Sequence, residues 1–230
     1  MPDPPDAPPA SGPCLLHELD QAGTPRIDPE QVRDVARWRT VERERLIAAR
    51  LARPEEERNA IALAIARDLD ALVTVGAGAI VSVYWPIRGE PDLRPWMLRL
   101  HERGGQVALP VTVAFGQPLI FRAWHPGSRL ERGAWKIPFP ADGAPVTPTV
   151  AIAPFVGFDP HCFRLGYGAG FFDRTLAALV PRPRVIGVGY DAAELATIFP
   201  QPHDVPMDWI VTGTSPPRRR SVPDREPGAR

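Results

Sequence analysis

The 230-residue chain lacks several features that would assign it to a class at once. Its two cysteines, Cys14 and Cys162, are too few for a disulfide framework or a cysteine-rich metal cluster. Basic and acidic residues number 27 each, so bulk charge gives no reason to expect nucleic acid or an anionic membrane as a partner. No apolar run is long enough to span a bilayer, and the start, MPDPPDAPPASGP, lacks the basic and apolar regions of a signal peptide. These absences predict a cytoplasmic protein.

Proline is abundant instead, with 30 residues, and part of it lies in two polar tails. Residues 1–25 and 215–230 lack apolar periodicity, so both segments are predicted to be disordered. The second tail contains Arg218–Arg220, for which solvated side chains are the expected interpretation and nucleic-acid contact the alternative. A single folded domain is predicted over residues 26–214.

Between the tails, helical patterns alternate with short apolar runs. Helices are predicted over residues 31–52, 54–73, 91–105 and from Phe171 onward. Strands are predicted over residues 79–85, 106–113, 118–124, 149–156, 184–190 and 209–212. This alternation predicts an α/β domain with three layers, α/β/α, around a largely parallel sheet.

The segment RLGYGAGFFDR, residues 164–174, gives up backbone rigidity in one place. It follows the strand predicted at 149–156, and its three glycines would allow the backbone to approach a ligand closely. N–H groups at the start of the following helix are unpaired and favour an anion there. A phosphate site is one interpretation, and a tight turn that packs the helix against the sheet is the other.

Charged side chains in this segment are compatible with a bound phosphate. Arg164 and Arg174 add positive charge, and Asp173 offers a hard oxygen ligand for magnesium. The segment is not a P-loop, because the G-x-x-x-x-G-K-[ST] spacing and its lysine are missing. It is not the dinucleotide fingerprint either, since the third glycine of that motif falls later.

The longer stretch GFDPHCFRLGYGAGFFDRTL, residues 157–176, resembles the signature of the 5-formyltetrahydrofolate cyclo-ligases, also called 5,10-methenyltetrahydrofolate synthetases. In that family a G/A-F-D element leads into R-L-G-x-G-x-G-Y-Y-D. Other matching pieces keep the family's order: Arg39 and Arg43 before PEEER, YWPIRGEPD (84–92), GQVALPV (105–111), WKIPFP (135–140) and PQPHDVPMDWIVT (200–212). The resemblance covers residues 33–213 and implies a Rossmann-like fold of the NagB/RpiA/CoA-transferase type.

The resemblance implies an ATP- and Mg²⁺-dependent conversion of 5-formyltetrahydrofolate to 5,10-methenyltetrahydrofolate. The formyl oxygen attacks the γ-phosphate of ATP, N10 then attacks the activated carbon, and phosphate leaves. Phosphoryl transfer needs mainly positioning and charge neutralisation. The implied partners are two small molecules, the folate and ATP as co-substrate, and the protein is expected to be a monomer that binds neither nucleic acid nor membrane.

The resemblance also implies which residues form the site. Tyr167 and Arg164 would be catalytic, and Asp173 and Asp204 would hold Mg²⁺. ATP would contact Arg39, Arg43, Arg164, Leu165, Gly166, Tyr167, Gly168, Ala169, Gly170, Phe171 and Phe172. The folate would contact Trp85, Glu90, Trp135, Tyr167 and Phe171, with Glu90 accepting hydrogen bonds from the pterin.

The chain departs from the family pattern at several of these positions. Ala169 stands where the family has glycine or lysine, and Phe171 and Phe172 replace a tyrosine pair. Arg39 replaces a lysine, which keeps the charge but changes its geometry. A non-catalytic folate- or nucleotide-binding protein on the same scaffold is therefore the alternative to an enzyme.

Most of these residues also have a purely structural interpretation. Arginines such as Arg39 and Arg43 in a charge-rich helix are usually solvated, and Asp204 could cap a loop. Trp85 could be a core residue. Glu90 could be an exposed residue of a turn, and Trp135 could anchor its loop.

Overall fold

The computed structural model describes residues 29–76 and 78–221. The disorder predicted for residues 1–25 therefore falls outside the described part of the chain. The α-helices are α1 (Pro29–Leu51), α2 (Glu55–Leu72), α3 (Arg94–Glu102) and α4 (Phe171–Ala178). The strands are β1 (Ile80–Ser82), β2 (Gln106–Val111), β3 (Ile120–Trp124), β4 (Leu130–Arg132), β5 (Pro138–Pro140), β6 (Pro145–Val146), β7 (Val150–Pro154), β8 (Gly157–Phe158), β9 (Arg164–Leu165), β10 (Arg184–Val188), β11 (Trp209–Val211) and β12 (Arg218–Arg219).

Proline and glycine set the helix boundaries. Helix α1 ends at Leu51, shortly before Pro54, because the residue preceding a proline is biased away from helical conformation. Helix α2 then begins with three glutamates, whose charge favours a helix N-terminus. Pro95 lies in the first turn of α3, where its missing N–H costs nothing, and Gly104 follows the end of α3 with a φ of +84°.

The central sheet has the strand order β12-β11-β10-β7-β1-β2-β3-β6. Strands β11, β10, β7, β1 and β2 are parallel to one another. At one edge β12 pairs antiparallel with β11, and at the other edge β3 pairs antiparallel with both β2 and β6. In chain order, β2 is placed on one side of β1, whereas β7, β10 and β11 are placed on the other side. The chain order therefore reverses between β1 and β7, which is where open α/β sheets bind ligands beyond the carboxyl ends of their strands.

Helices cover both faces of this sheet. Alternate residues of each strand point to opposite faces, so one strand contributes to both cores. On one face Ile152 of β7 packs in a core with Ile65 of α2 and Trp96 of α3. On the other face the neighbouring Ala153 packs with Leu176 of α4. The predicted α/β architecture, with a largely parallel sheet between helices, is confirmed.

The structure adds short elements that the sequence patterns did not indicate. Strands β4 and β5 form a separate antiparallel pair, and so do β8 and β9. Strand β12 pairs antiparallel with β11, and its Arg218 forms an ion pair of 2.6 Å with Glu194. This corrects the prediction of a disordered, solvated tail for Arg218 and Arg219, whereas residues 222–230 lie outside the described part. Within residues 29–76 and 78–221, no helix has both the length and the apolar composition needed to cross a membrane.

Gly189, which follows β10, packs closely against the ring of Phe155. A Cβ at Gly189 would lie 2.2 Å from the ring of Phe155, which is buried in the core. Gly189→Ala should therefore overpack this point and cost about 1–3 kcal/mol. Thermal denaturation should show a melting temperature lower by roughly 2–10 °C.

Gly76→Ala is the matched control, because a Cβ there would meet nothing within 4 Å. Its melting temperature should equal or slightly exceed that of the wild type. Equal melting of both variants would mean that the Phe155 ring moves aside without cost.

Candidate active site

The candidate site lies beyond the carboxyl ends of β1 and β7. A hairpin, β8–β9, follows β7 and returns the chain to the sheet edge. The glycine segment, defined here as residues 164–172, starts at this edge. The buried Asp159 holds its turn, because the carboxylate accepts hydrogen bonds from the N–H groups of His161 and Phe163 at 3.0 and 3.1 Å. Asp159 also accepts from the N–H of Ile198 at 3.3 Å, which ties the hairpin to a later loop.

Two of the three glycines in this segment adopt left-handed backbone conformations. Gly168 has a φ of +96° and Gly170, the residue before α4, a φ of +64°. Side chains disfavour this region, so glycine is required at both positions. A Cβ at Gly166, by contrast, would meet nothing within 4 Å. The predicted backbone freedom is therefore used at Gly168 and Gly170, directly before the free N–H groups of α4.

Two arginines flank the glycine segment. Arg43 donates from Nε to the carbonyl of Gly166 at 2.7 Å, and its guanidinium would lie 3.3 Å from a Cβ at Gly168. Arg174 donates to the carbonyl of Ala169. Burial, and then the neighbouring charge of Arg39, lower the pKa of Arg43. A bound anion would relieve this electrostatic cost, so the segment suits a negatively charged ligand.

Arg39 has a different environment from Arg43, although both were predicted to bind the same ligand. Its Nη2 lies 2.5 Å from Oδ2 of Asp204, and Nε and Nη2 donate to the carbonyls of Ile198 and Phe199 at 3.0 and 2.9 Å. Both charged side chains are largely buried. Arg39 therefore joins α1 to the loop around residues 198–204, and neither Arg39 nor Asp204 is a freely solvated side chain.

Asp173 is paired in a similar way. Nη2 of Arg164 lies 3.1 Å from Oδ2 of Asp173, and Oδ1 of Asp173 accepts the N–H of Val205 at 3.1 Å. Because Val205 follows Asp204 in the chain, this hydrogen bond brings Asp173 to the backbone beside the second predicted metal ligand. Burial lowers the pKa of Arg164, and the carboxylate of Asp173 counteracts this effect.

The fit of this aspartate pair to a magnesium ion is partial. In the part of the chain that the structure describes, no group of three or more histidine, cysteine, aspartate or glutamate side chains is arranged to hold a metal. Mg²⁺ in nucleotide sites takes one or two carboxylates, with phosphates and waters completing its shell. Asp173 and Asp204 could supply these one or two carboxylate ligands, but each of them already forms an ion pair with an arginine.

A buried polar cluster lies beneath the glycine segment. Nη2 of Arg50 donates to the Tyr167 hydroxyl at 2.5 Å, and the guanidinium charge of Arg50 also acts on the Glu90 carboxyl. Arg50 is only 4% exposed and Glu90 only 6%, so the interpretation of Glu90 as an exposed turn residue is wrong. Burial raises the pKa of Glu90 from 4.5 to about 7, although hydrogen bonding to the N–H of Ile87 works in the other direction. Burial likewise raises the pKa of Tyr167.

Arg50 was not identified from the sequence, although a signal exists. It lies seven residues after Arg43 and eleven after Arg39, which places the three arginines along one face of α1. The surrounding helix is rich in arginine, and most such side chains are solvated. Periodicity alone therefore could not separate Arg50 from its exposed neighbours.

Aromatic rings gather at the mouth of the site. The rings of Trp135 and Phe171 meet edge to face with centroids 5.5 Å apart, which brings together two residues predicted to contact the folate. Trp135 is 60% exposed and has a left-handed φ of +53°. Phe115, which the sequence did not single out, is 81% exposed and lies 6.3 Å from Phe171. Trp85 instead packs against the core, with the guanidinium of Arg94 5.4 Å from its ring centroid.

Comparison with known proteins identifies the family. The model of the 5-formyltetrahydrofolate cyclo-ligase family matches residues 35–213, so the chain belongs to this family. The 5-formyltetrahydrofolate cyclo-ligase of Escherichia coli is 34% identical over 139 residues, which are 57% of this chain and 76% of the relative. That of Mycolicibacterium smegmatis is 33% identical over 144 residues, 59% of this chain and 74% of the relative.

Solved structures agree with this assignment. The NMR structure of the Aquifex aeolicus 5,10-methenyltetrahydrofolate synthetase has a TM-score of 0.69 at 26% identity, covering 83% of this chain and 97% of that one. The resemblance drawn from residues 157–176 is therefore confirmed, and so is the enzyme class that it implies, a ligase.

The buried carboxyl of Glu90 should make folding depend on pH. The folded protein holds this proton up to about pH 7, whereas the unfolded chain releases it near 4.5. The folded state therefore binds more protons in this window, and stability is lost as the pH rises through it. The effect is on the order of 3 kcal/mol. Glu90→Gln removes it, so the melting temperature of this variant relative to wild type should rise between about pH 5 and about pH 8.

Glu56→Gln, at an exposed position of α2, is the control. Its melting temperature relative to wild type should not change with pH over the same range. A pH-independent difference for Glu90→Gln would show that the carboxyl is not held protonated by burial.

Proposed function

We propose that this protein closes the ring of 5-formyltetrahydrofolate to give 5,10-methenyltetrahydrofolate, using ATP with Mg²⁺ and releasing ADP and phosphate. One observation carries the proposal. The left-handed residues Gly168 and Gly170 lie directly before α4, flanked by Arg43 and Arg174, at the edge of the sheet where the strand order reverses. Backbone N–H groups and arginines in this position are suited to phosphates.

ATP is proposed to bind along residues 164–172. Arg43 and Arg174 hydrogen-bond to main-chain carbonyls, so both guanidinium charges are available to neutralise phosphate. Arg39 is proposed to contribute through Nη1, whose contact with Asp204 is long, at 3.4 Å. Leu165 is fully buried and would contribute its backbone only.

Asp173 and Asp204 are proposed to hold the Mg²⁺ ion that accompanies ATP. The ion would offset negative charge on the phosphates. Arg164 is proposed to hold Asp173 in place, because its guanidinium is buried in the ion pair with that carboxylate. Arg39 would hold Asp204 in the same manner.

The folate is proposed to enter at the aromatic mouth, where Trp135 and Phe171 offer flat apolar faces to a ring. Glu90 would interact with the pterin N–H groups, and Trp85 would line the site from the core side. Tyr167 would stand between the two substrates, since it belongs to the glycine segment and reaches Arg50 with its hydroxyl.

The proposed chemistry has two steps. The formyl oxygen on N5 attacks the γ-phosphorus, the bond to ADP breaks, and an N5-iminium phosphate forms. N10 then attacks the formyl carbon, the carbon–oxygen bond breaks with release of inorganic phosphate, and N10 loses its proton. An amide oxygen is a poor leaving group, which is why phosphorylation precedes ring closure. The residues above align the two substrates and neutralise charge, the main contributions that phosphoryl transfer requires.

Turnover tests the proposal directly. Purified protein with 5-formyltetrahydrofolate, ATP and Mg²⁺ should produce the near-ultraviolet absorbance of the methenyl product, and leaving out any one of the three should prevent it. Equal rates in EDTA and in magnesium would contradict the role of Asp173 and Asp204. Ligand-induced stabilisation without any product would indicate a binding protein that has lost catalysis.

The glycine segment provides a second test. Gly168→Val places a side chain at a left-handed position and against Arg43, so it should weaken ATP binding by roughly tenfold to a hundredfold. Binding of the folate should not change, so 5-formyltetrahydrofolate should still raise the melting temperature of this variant. Melting curves with MgATP and with the folate separate the two effects.

Gly127→Val is the matched control, because Gly127 lies outside residues 164–172, is also left-handed with a φ of +85°, and a Cβ there would meet nothing within 4 Å. Stabilisation by MgATP should be nearly normal in this variant. Undiminished stabilisation by MgATP in Gly168→Val would show that the segment does not contact phosphate.

A further inference from the structure

Arg50 makes three contacts with three separate segments of the site. Nε donates to the carbonyl of Arg88 at 3.0 Å, Nη1 to the carbonyl of Phe155 at 3.4 Å, and Nη2 to the Tyr167 hydroxyl at 2.5 Å. Arg88 lies in the loop after β1, Phe155 directly after β7, and Tyr167 in the glycine segment. One side chain of α1 thus bridges both sides of the point where the strand order reverses.

The loop after β1 is shaped closely around Arg50. Arg88 and Gly89 are both left-handed, with φ values of +47° and +75°. A Cβ at Gly89 would lie 3.5 Å from Cγ of Arg50, so the loop backbone rests directly on the arginine stem. A left-handed conformation at a non-glycine residue costs energy and persists only where its surroundings hold it. The hydrogen bond from Arg50 to the Arg88 carbonyl is one of those restraints.

The burial of Arg50 is costly unless its charge is satisfied. It is 4% exposed and donates to two carbonyls and a phenol, whose dipoles stabilise a charge less than a carboxylate does. Lysine is a poor substitute, because its point charge lacks the planar fork that reaches three acceptors in different directions. The position therefore calls for an arginine for geometric reasons.

We propose that Arg50 is a positioning residue that fixes the loop at residues 84–92 against the glycine segment at residues 164–172. This inference rests on the proposed function in one respect, namely that the first loop serves the folate and the second serves ATP. Arg50 then sets the distance between the formyl oxygen and the γ-phosphate without contacting either.

A positioning role has a kinetic signature. In a variant of Arg50, the residues that bind each substrate are unchanged. The KM values for ATP and for the folate should therefore change by less than about threefold, as expected when ground-state binding is kept. The transfer step needs the reacting atoms aligned within about 1 Å, so kcat should fall by roughly tenfold to a hundredfold. Arg50→Lys is the informative variant, because it keeps a positive charge and most of the side-chain volume.

The experiment compares Arg50→Lys with Arg45→Lys, an exposed position on the same helix. Steady-state kinetics and amide hydrogen exchange are measured for both variants and for the wild type, well below their melting temperatures. We expect Arg50→Lys to lose kcat selectively and to exchange faster in both loops, 84–92 and 164–172. Arg45→Lys should match the wild type in all respects.

Three results would overturn the proposal: unchanged kcat in Arg50→Lys, a rise in either KM that accounts for the loss of activity, or exchange that is faster in neither loop. If the wild type itself forms no methenyl product, the proposed function fails, and the exchange comparison still decides the role of Arg50. If Arg50→Lys does not fold, Tyr167→Phe replaces it, because it removes the hydroxyl that accepts from Arg50, together with the hydrogen bond of that hydroxyl to Glu90. Glu90→Gln, which leaves the Arg50 contact in place, is its control. Exchange at 164–172 should be faster in Tyr167→Phe than in Glu90→Gln, and equal exchange there contradicts the proposal.

Discussion

The reversal of strand order between β1 and β7 is the constraint on which the site depends. The two strands are parallel neighbours, but the chain leaves them towards opposite sides of the sheet. Their outgoing loops therefore diverge and leave a crevice at the sheet edge. The β8–β9 hairpin, turned by the buried Asp159, then directs the glycine segment back over that crevice. The N-terminus of α4 faces the site only because of this return.

Charge is distributed unevenly around this crevice, although acidic and basic residues balance over the whole chain. Arg39 and Arg164 are paired with Asp204 and Asp173, whereas Arg43 and Arg174 hydrogen-bond to main-chain carbonyls. The two ion pairs join neighbouring segments of the site, whereas Arg43 and Arg174 leave net positive charge at the glycine segment. A balanced total charge is therefore compatible with a strongly polarised site.

Local features of the sequence predicted much of the fold. The helices and central strands follow from apolar periodicity, and their ends follow from residues such as Pro54 and Gly104. The glycine segment has two interpretations from the sequence, a phosphate site and a tight turn, and the left-handed Gly168 and Gly170 explain why glycine stands there in either case. These features depend on residues close together in the chain.

What the sequence could not predict depends on distant contacts. Arg50 looks like other arginines of α1 until the fold brings Phe155 and Tyr167 to it. The pairing of Arg39 with Asp204 depends on a loop at the far end of the domain. Short strands such as β12 have too few residues for a periodic pattern, and they form because a neighbouring strand offers its edge.

Helix α1 has a further consequence for how the molecule comes into being. Its three site arginines find partners far along the chain, with separations of 123 residues from Arg43 to Gly166, 117 from Arg50 to Tyr167 and 165 from Arg39 to Asp204. During synthesis this helix emerges from the ribosome early, but its docking surface is complete only after residue 204 has followed. Such long-range closure is slow and comes late in folding. Helix α1 can therefore dock fully only after most of the domain has been made, and the crevice is complete only at that stage.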